Sequence, residues 1–180
     1  MADQQDDHGL WEHRVRFDAA LNGLSLDLVA EEDRRRIIAE AFGMISLDNL
    51  KARVETRAAK GLKPVVHVRL RLTGDVTQEC GVSLEPFSHP IAGELDIECI
   101  ERGRVTDEVA DVGESELGLL DLDEPDVITN GQIDIGQYII EALGDAYDPF
   151  ARKPGVVFEE PEAEVEPSPF AVLAKLKREE

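Results

Sequence analysis

Cys80 has the widest chemical scope of any residue in this chain. A thiol can ligate zinc, act as a nucleophile or sit inert in a core, and its neighbours decide which. A zinc ribbon needs about four nitrogen or sulfur ligands in tight pairs. The chain offers Cys80, Cys99, His67 and His89, widely spaced, while His8 and His13 lie in or beside the N-terminal end. That spacing assigns no metal, and Cys80 is expected to be a small buried thiol at a strand end. The carboxylates are no more selective, because with 39 Asp and Glu residues close pairs arise by chance. Asp121-Leu122-Asp123-Glu124-Pro125-Asp126 lacks the loop glycine and the spaced terminal Glu of a calcium loop. There is no Gly-x-Gly-x-x-Gly, no P-loop and no nucleophile elbow. The expectation is a non-enzymatic protein with no cofactor and no small-molecule substrate.

The second group with chemical potential is cationic. Lys51, Arg53, His67, Arg69 and Arg71 alternate with apolar residues, and Arg57, Lys60 and Lys63 flank them. On one side of a hairpin they would form a patch able to contact nucleic-acid phosphates. They would serve equally to pair with Glu94, Asp96 and Glu98 on a neighbouring strand. No aromatic residues interleave the cluster, so stacking on bases is not expected. Arg152 and Lys153 form a second, smaller basic site.

Charge limits where a polyanion could bind. The net charge is −20, and it is unevenly placed. Residues 1–75 hold 12 Lys and Arg against 13 Asp and Glu, whereas residues 76–180 hold 7 against 26. Coating a nucleic acid requires a broad basic surface to displace condensed counterions. The second half cannot provide one, so RNA contact would fall to the cationic hairpin or to Arg152 and Lys153.

The elements that must position these residues follow from periodicity. Leu50, Ala52 and Val54 alternate with Lys51, Arg53 and Glu55, and Val66, Val68, Leu70 and Leu72 alternate with His67, Arg69 and Arg71. The two runs predict an antiparallel hairpin closed by 58–64. The second strand should extend from 65 to 80, bent or bulged near Gly74. A turn over 81–87 returns the chain through Leu95, Ile97 and Cys99, with Phe87 plugging the core. Glu31 to Phe42 predicts a helix with Glu31–Arg35 and Glu32–Arg36 pairs, a buried stripe of Ile37, Ile38, Ala41 and Phe42, and a stop at Gly43. Asp134 should cap a second helix, with Gln137 at capping-box spacing and Ile133 and Tyr138 at staple positions. Asp148-Pro149 ends it. Ser168-Pro169 opens a short helix presenting Phe170, Leu173 and Leu176.

These elements imply an α+β fold: an antiparallel sheet of about four to six strands, open or barrel-like, with packed helices. The expected organisation is a disordered tail over 1–12 and a domain over 13–158. That domain carries a mobile acidic insertion at 103–130. A linker over 159–167 and a docking helix over 168–178 follow. No apolar run reaches bilayer length and the acidic start is not a targeting signal, so the expected location is the cytoplasm, with reduced thiols.

Two stretches carry a family resemblance. One is Gly74-Asp75-Val76-Thr77-Gln78-Glu79-Cys80-Gly81-Val82-Ser83-Leu84-Glu85-Pro86-Phe87. The other runs from Gly131-Gln132-Ile133-Asp134-Ile135-Gly136 through Asp148-Pro149-Phe150-Ala151-Arg152-Lys153-Pro154-Gly155. Together with the C-terminal Ser-Pro-Phe-Ala-Val-Leu-Ala-Lys-Leu-Lys, they resemble the YceD family of bacterial proteins in its alphaproteobacterial form. The family motif positions here are Cys80, Leu84, Glu85, Pro86, Asp134, Asp148 and Pro149. Where many relatives place a second Cys three residues after the first, this chain has Ser83. The resemblance implies a factor supporting synthesis, processing or stability of 23S ribosomal RNA. Its partner would be large-subunit ribosomal RNA or its precursor, a basic ribosomal protein, or both. A different class, an acidic escort for a ribosomal protein without RNA contact, fits the same charge pattern.

Overall fold

The computed structural model describes residues 9–59, 64–102 and 125–158. The expected linker over 159–167 and helix over 168–178 lie outside these residues, as does most of the expected acidic insertion.

Among the described residues ten elements follow one another. They are β1 (Arg14–Arg16), α1 (Phe17–Leu21), β2 (Ser25–Val29), α2 (Glu32–Phe42) and β3 (Ser46–Ala58), then β4 (Val65–Glu79), β5 (Pro86–Glu101), β6 (Asp126–Ile128), β7 (Gln132–Asp134) and α3 (Ile135–Ala146). Five strands form one sheet in the order β2-β3-β4-β5-β6, and β1 pairs with β7 separately. β2 to β5 are antiparallel, whereas β6 joins β5 in parallel. Among the described residues the sheet is therefore mixed and open, with β2 and β6 as edges, rather than barrel-like.

Strict alternation builds the central strands. Val66, Val68, Leu70, Leu72, Val76 and Cys80 are buried on one side, and Leu50, Ala52 and Val54 of β3 join them. The expected irregularity lies across from Gly74, on β3. The register slips between Asp48 and Lys51, where Asn49 and Leu50 of β3 face Gly74 alone on β4, so Leu47 and Leu50 both turn inward. Asn49 takes the left-handed conformation at φ 53° and donates from its side-chain amide to Asp75 at 2.8 Å. Gly74 leaves room for this bulge, because a Cβ there would lie 3.3 Å from the Asp48 carbonyl oxygen.

The helices contribute to a single core against the inward face. α2 packs on β3, α1 on β3 and β4, and α3 on β4 and β5. In α2 the buried residues are Ile38 and Ala39, while Ile37 and Ala41 are exposed, so the expected stripe is rotated by about one position. The expected Glu–Arg pairs are replaced: Arg35 donates to the Ala30 carbonyl and Arg36 to Asp33. Gly43 ends α2 in the left-handed conformation at φ 70°. Asp134 caps α3 by accepting from the Gly136 and Gln137 amides, but the Gln137 side chain reaches forward to Glu141 and the reciprocal half of the box is unmade. Asp134 also accepts from the His13 amide, which ties β1 to the start of α3. Trp11, inside the expected tail, is buried. β6 lies inside the expected insertion and is held by Tyr138, whose hydroxyl donates to Asp126 at 2.9 Å. Phe87 is half-buried and stacks on His89 rather than plugging the core.

α3 sits close to β5 because residue 93 has no side chain. A Cβ on Gly93 would lie 2.7 Å from the Ala142 carbonyl oxygen and 3.2 Å from the Ala146 Cβ. In an unobstructed strand, Gly→Ala stabilises by restricting the unfolded chain. Here the sign should reverse. Gly93→Ala is expected to destabilise by about 1–3 kcal/mol, the usual range for overpacking, read as a lower urea midpoint by circular dichroism. A midpoint at or above that of the parent chain would show that α3 does not press on β5.

Candidate functional site

The two separated motif stretches meet at one end of the sheet. β4 carries its inward phase past Val76 into Gln78 and Cys80, so a polar amide and a thiol reach the rim of the core. The Gln78 amide is 2 % exposed, donates to the Asp148 carbonyl at 2.9 Å, and lies 3.3 Å from the His89 ring. The chain then turns tightly. The Cys80 amide donates to the Glu85 carbonyl at 2.9 Å, and the Leu84 amide donates to the Cys80 carbonyl at 3.0 Å. Leu84 adopts φ 58°, a conformation that L-residues other than Gly, Asn and Asp seldom take. Pro86 begins β5 opposite Glu79, so the turn is shorter than expected.

Residues 148–153 lie across this turn as a strap. Its first corner is set by Asp148, whose carboxylate accepts from the Phe150 amide at 2.8 Å. The Gly81 amide donates to the Ala151 carbonyl at 3.0 Å. Gly81 permits that approach, since a Cβ there would stand 2.9 Å from the Phe150 carbonyl oxygen. The Lys153 amide donates to Cys80 Sγ at 3.3 Å, and Lys153 Nζ pairs with Glu85 at 2.9 Å. Cys80, Glu85, Asp148 and Lys153 therefore belong to one junction. Asp134 stands apart, at the start of α3.

Cys80 is the centre of the junction. Its side chain is buried, and its sulfur accepts from the Val82, Ser83 and Lys153 amides at 3.4, 3.4 and 3.3 Å. These donors favour the thiolate. The Ser83 hydroxyl and amide act most strongly, then the Lys153 amide, and they outweigh the opposing effect of burial to bring the pKa from 9.0 down to about 6. The residue at the second position of the broken Cys pair thus hydrogen-bonds to the remaining sulfur. Cys99 shows the contrasting case. It pairs with Val66, near the far end of β4, about 45 Å from Cys80 at ordinary strand rise. Burial raises its pKa to about 11, and its nearest polar partner is the Tyr138 hydroxyl at 3.5 Å. The two thiols cannot share a ligand. Among the described residues no group of three or more His, Cys, Asp or Glu could hold a metal ion.

The cationic hairpin is real in placement and neutral in balance. Lys51, Arg53, Arg69 and Arg71 occupy the outer face of β3 and β4, with Arg53 opposite Arg71 and Glu55 opposite Arg69. Arg53 pairs with Glu55 at 3.1 Å and with Asp27 of β2 at 3.3 Å. Arg69 pairs with Asp96 at 2.9 Å and Arg71 with Glu94 at 3.1 Å, and His67 also meets Asp96. Hydrogen bonds to Glu55 and Asp96 raise the pKa values of Arg53 and Arg69. Lys51 has no ion-pair partner among the described residues. Arg152 is exposed on the strap. Nine residues separate Arg71 from Cys80, about 30 Å along a strand, so Arg152 and Lys153 do not join the hairpin cluster.

Gln78 and Gly81 are junction positions that sequence reasoning missed. Gln78 had a signal: a polar amide in the inward phase between Val76 and Cys80 must be satisfied by something. Gly81 had none beyond being a turn glycine.

The YceD family model, described as "Large ribosomal RNA subunit accumulation protein YceD", matches residues 68–177. The chain belongs to this family, whose description connects it to large-subunit ribosomal RNA accumulation and so to ribosome biogenesis. No curated protein and no solved structure matches the chain.

The sulfur's donors create a pH signature. A pKa held near 6 in the fold, against 9.0 for an ordinary thiol, adds stability that is complete above pH 9 and is lost as pH falls through about 6. Ser at position 80 keeps an acceptor but cannot ionise. The melting temperature of the parent chain is therefore expected to rise relative to Cys80→Ser between pH 6 and pH 9. A difference that is flat with pH would show that the thiolate is not what the junction stabilises.

Proposed function

We propose that this chain supports accumulation of 23S ribosomal RNA as a non-enzymatic assembly factor, and that it does so through a basic ribosomal protein. The observation that favours a protein over RNA as the direct partner is the pairing of the hairpin arginines. Lys51, Arg53, Arg57, Arg69 and Arg71 share the outer face with Asp27, Glu55, Glu94, Asp96 and Glu98, so these ten residues sum to zero charge. Each exposed ion pair contributes only about 0–1 kcal/mol, so pairing does not lock the arginines. It does cancel the field that would gather phosphates. The remainder of the chain is strongly acidic, with 26 carboxylates against 7 cations over 76–180. A surface of that sign attracts cationic proteins and repels polyanions. A non-enzymatic role is supported by the chemistry of the junction, where the Cys80 sulfur is buried and committed to backbone donors.

The second reading, direct contact with ribosomal RNA, rests on Lys51, on Arg152, which is exposed, and on cations that could leave their carboxylates for phosphate. The two readings separate cleanly. Tagged chain recovered from cells should bring down a basic ribosomal protein whether or not the sample has been treated with RNase. Recovery that disappears with RNase would make RNA the bridge. In the same assay, joint Arg53→Gln, Arg69→Gln and Arg71→Gln substitution is expected to leave ribosomal RNA recovery within about twofold of the parent. Neutralising true phosphate contacts would instead lower it severalfold and flatten its salt dependence. Metal-dependent cleavage of a precursor RNA by the purified chain would overturn the non-enzymatic assignment.

A further inference from the structure

The junction between the turn and the strap presents two bare apolar side chains on backbones that are tied down. Leu84 is 71 % exposed and Phe150 is 78 % exposed. Neither is a loose loop residue. The Leu84 amide is bonded to Cys80, the Phe150 amide to Asp148, and the Phe150 carbonyl rests on Gly81. Val157 and Phe158, 79 % and 64 % exposed, follow where the described residues end. Single exposed apolar residues are ordinary, but one on each of two segments pinned together, with two more following in the sequence, mark a surface that something covers.

We infer that this surface is the docking site for the chain's own C-terminal stretch, Ser168 to Lys177. The position of the chain end is the first argument. Residues 159–167 separate Phe158 from Ser168, and nine residues extend to about 30 Å, enough to return to a junction only five residues upstream at Lys153. The second argument is pattern. Phe170, Leu173 and Leu176 recur at helical spacing behind the Ser168-Pro169 start. A helix of about ten residues is marginal in water without a surface to hold its apolar face. Charge is the third argument. The stretch carries Lys175 and Lys177, while the junction exposes Glu79 and Asp148, with Glu85 paired to Lys153 and Arg152 exposed on the strap. The connecting residues Glu159, Glu160, Glu162, Glu164 and Glu166 are acidic and offer the junction no such complement. Finally, a short tether holds the stretch at an effective concentration in the millimolar range, so contacts to Leu84 and Phe150 suffice without a deep groove.

Hydrogen–deuterium exchange on the full chain tests this. At low micromolar concentration the amides of 170–177 should exchange at least tenfold more slowly than unstructured amides. Phe150→Asp should abolish most of that protection, and so should Phe170→Asp, which lies in the stretch itself and leaves the junction residues untouched. Exchange at β4 amides should be unchanged in both variants. Three results would overturn the inference: no protection in the parent chain, protection that appears only as concentration rises and so reports a second copy, or protection that survives Phe150→Asp. Absence of protection in the isolated chain, with protection restored by an added ribosomal protein, would reassign the surface to that partner.

Discussion

The structure depends on one uninterrupted alternation. From Val66 to Cys80 every even-numbered residue of β4 points inward, and the strand has neighbours along its whole length on one side and most of it on the other. This register fixes three things together. It places the aliphatic side chains against the helices. It lines the arginines up on the outer face. It also delivers Gln78 and Cys80 to the rim where the strap crosses. A slip of one residue would put Arg69 and Arg71 into the core and expose Leu70 and Leu72. The bulge in β3 is absorbed by the partner strand, with Asn49 in the left-handed conformation and Gly74 leaving room, so β4 itself is not broken.

The outer face explains how so acidic a chain keeps its sheet together. Carboxylates in register on β5 would repel one another without a counter-row, and β4 supplies it: Arg69 meets Asp96 and Arg71 meets Glu94. Asp27 of β2 does the same for Arg53 on the other flank. Cations of β3 and β4, drawn from residues 1–75, and anions of β5, drawn from 76–180, thus belong to one sheet. Charge segregation along the sequence becomes charge pairing in space. Of the first-half cations that look like a nucleic-acid patch when read alone, Arg69 and Arg71 are occupied by the second half and Arg53 by Asp27 and Glu55 of the first.

What was legible in the sequence was whatever a side-chain period encodes. The β3–β4 hairpin, the return through Leu95, Ile97 and Cys99, the Gly43 stop and the Asp134 cap each have a local signature, and each is present. β2 and the β1–β7 pair escaped because they are only five and three residues long, too short for period to speak. The stripe of α2 was misplaced because Ile37 is apolar yet points outward, which periodicity weighs as buried. The sequence pattern assigns the bulge to the strand bearing the glycine, whereas Gly74 is clearance for a bulge on the strand opposite. The junction was half legible. Its residue types stood out, but their meeting did not, because it is made by main-chain groups: the Lys153 amide, the Asp148 carbonyl and the Ala151 carbonyl. Main-chain partners leave no compositional trace.

Local and global preferences agree through most of this domain and disagree at the junction. A leucine in the left-handed conformation and a phenylalanine left bare each cost free energy that a purely structural turn would avoid, since Gly or Asn at 84 and a polar residue at 150 would serve the backbone better. Against these costs, the backbone underneath is over-determined: sulfur, amide and carboxylate groups from β4, the turn and the strap all converge on it. A loop held rigid while presenting unfavourable side chains is organised for what it meets rather than for what it supports. Cys80 fits that division of labour. Its sulfur faces inward and collects main-chain donors from both segments, so its role is to hold the two presenting loops in register. Under the docking inference, contact with the C-terminal stretch then falls to Leu84 and Phe150.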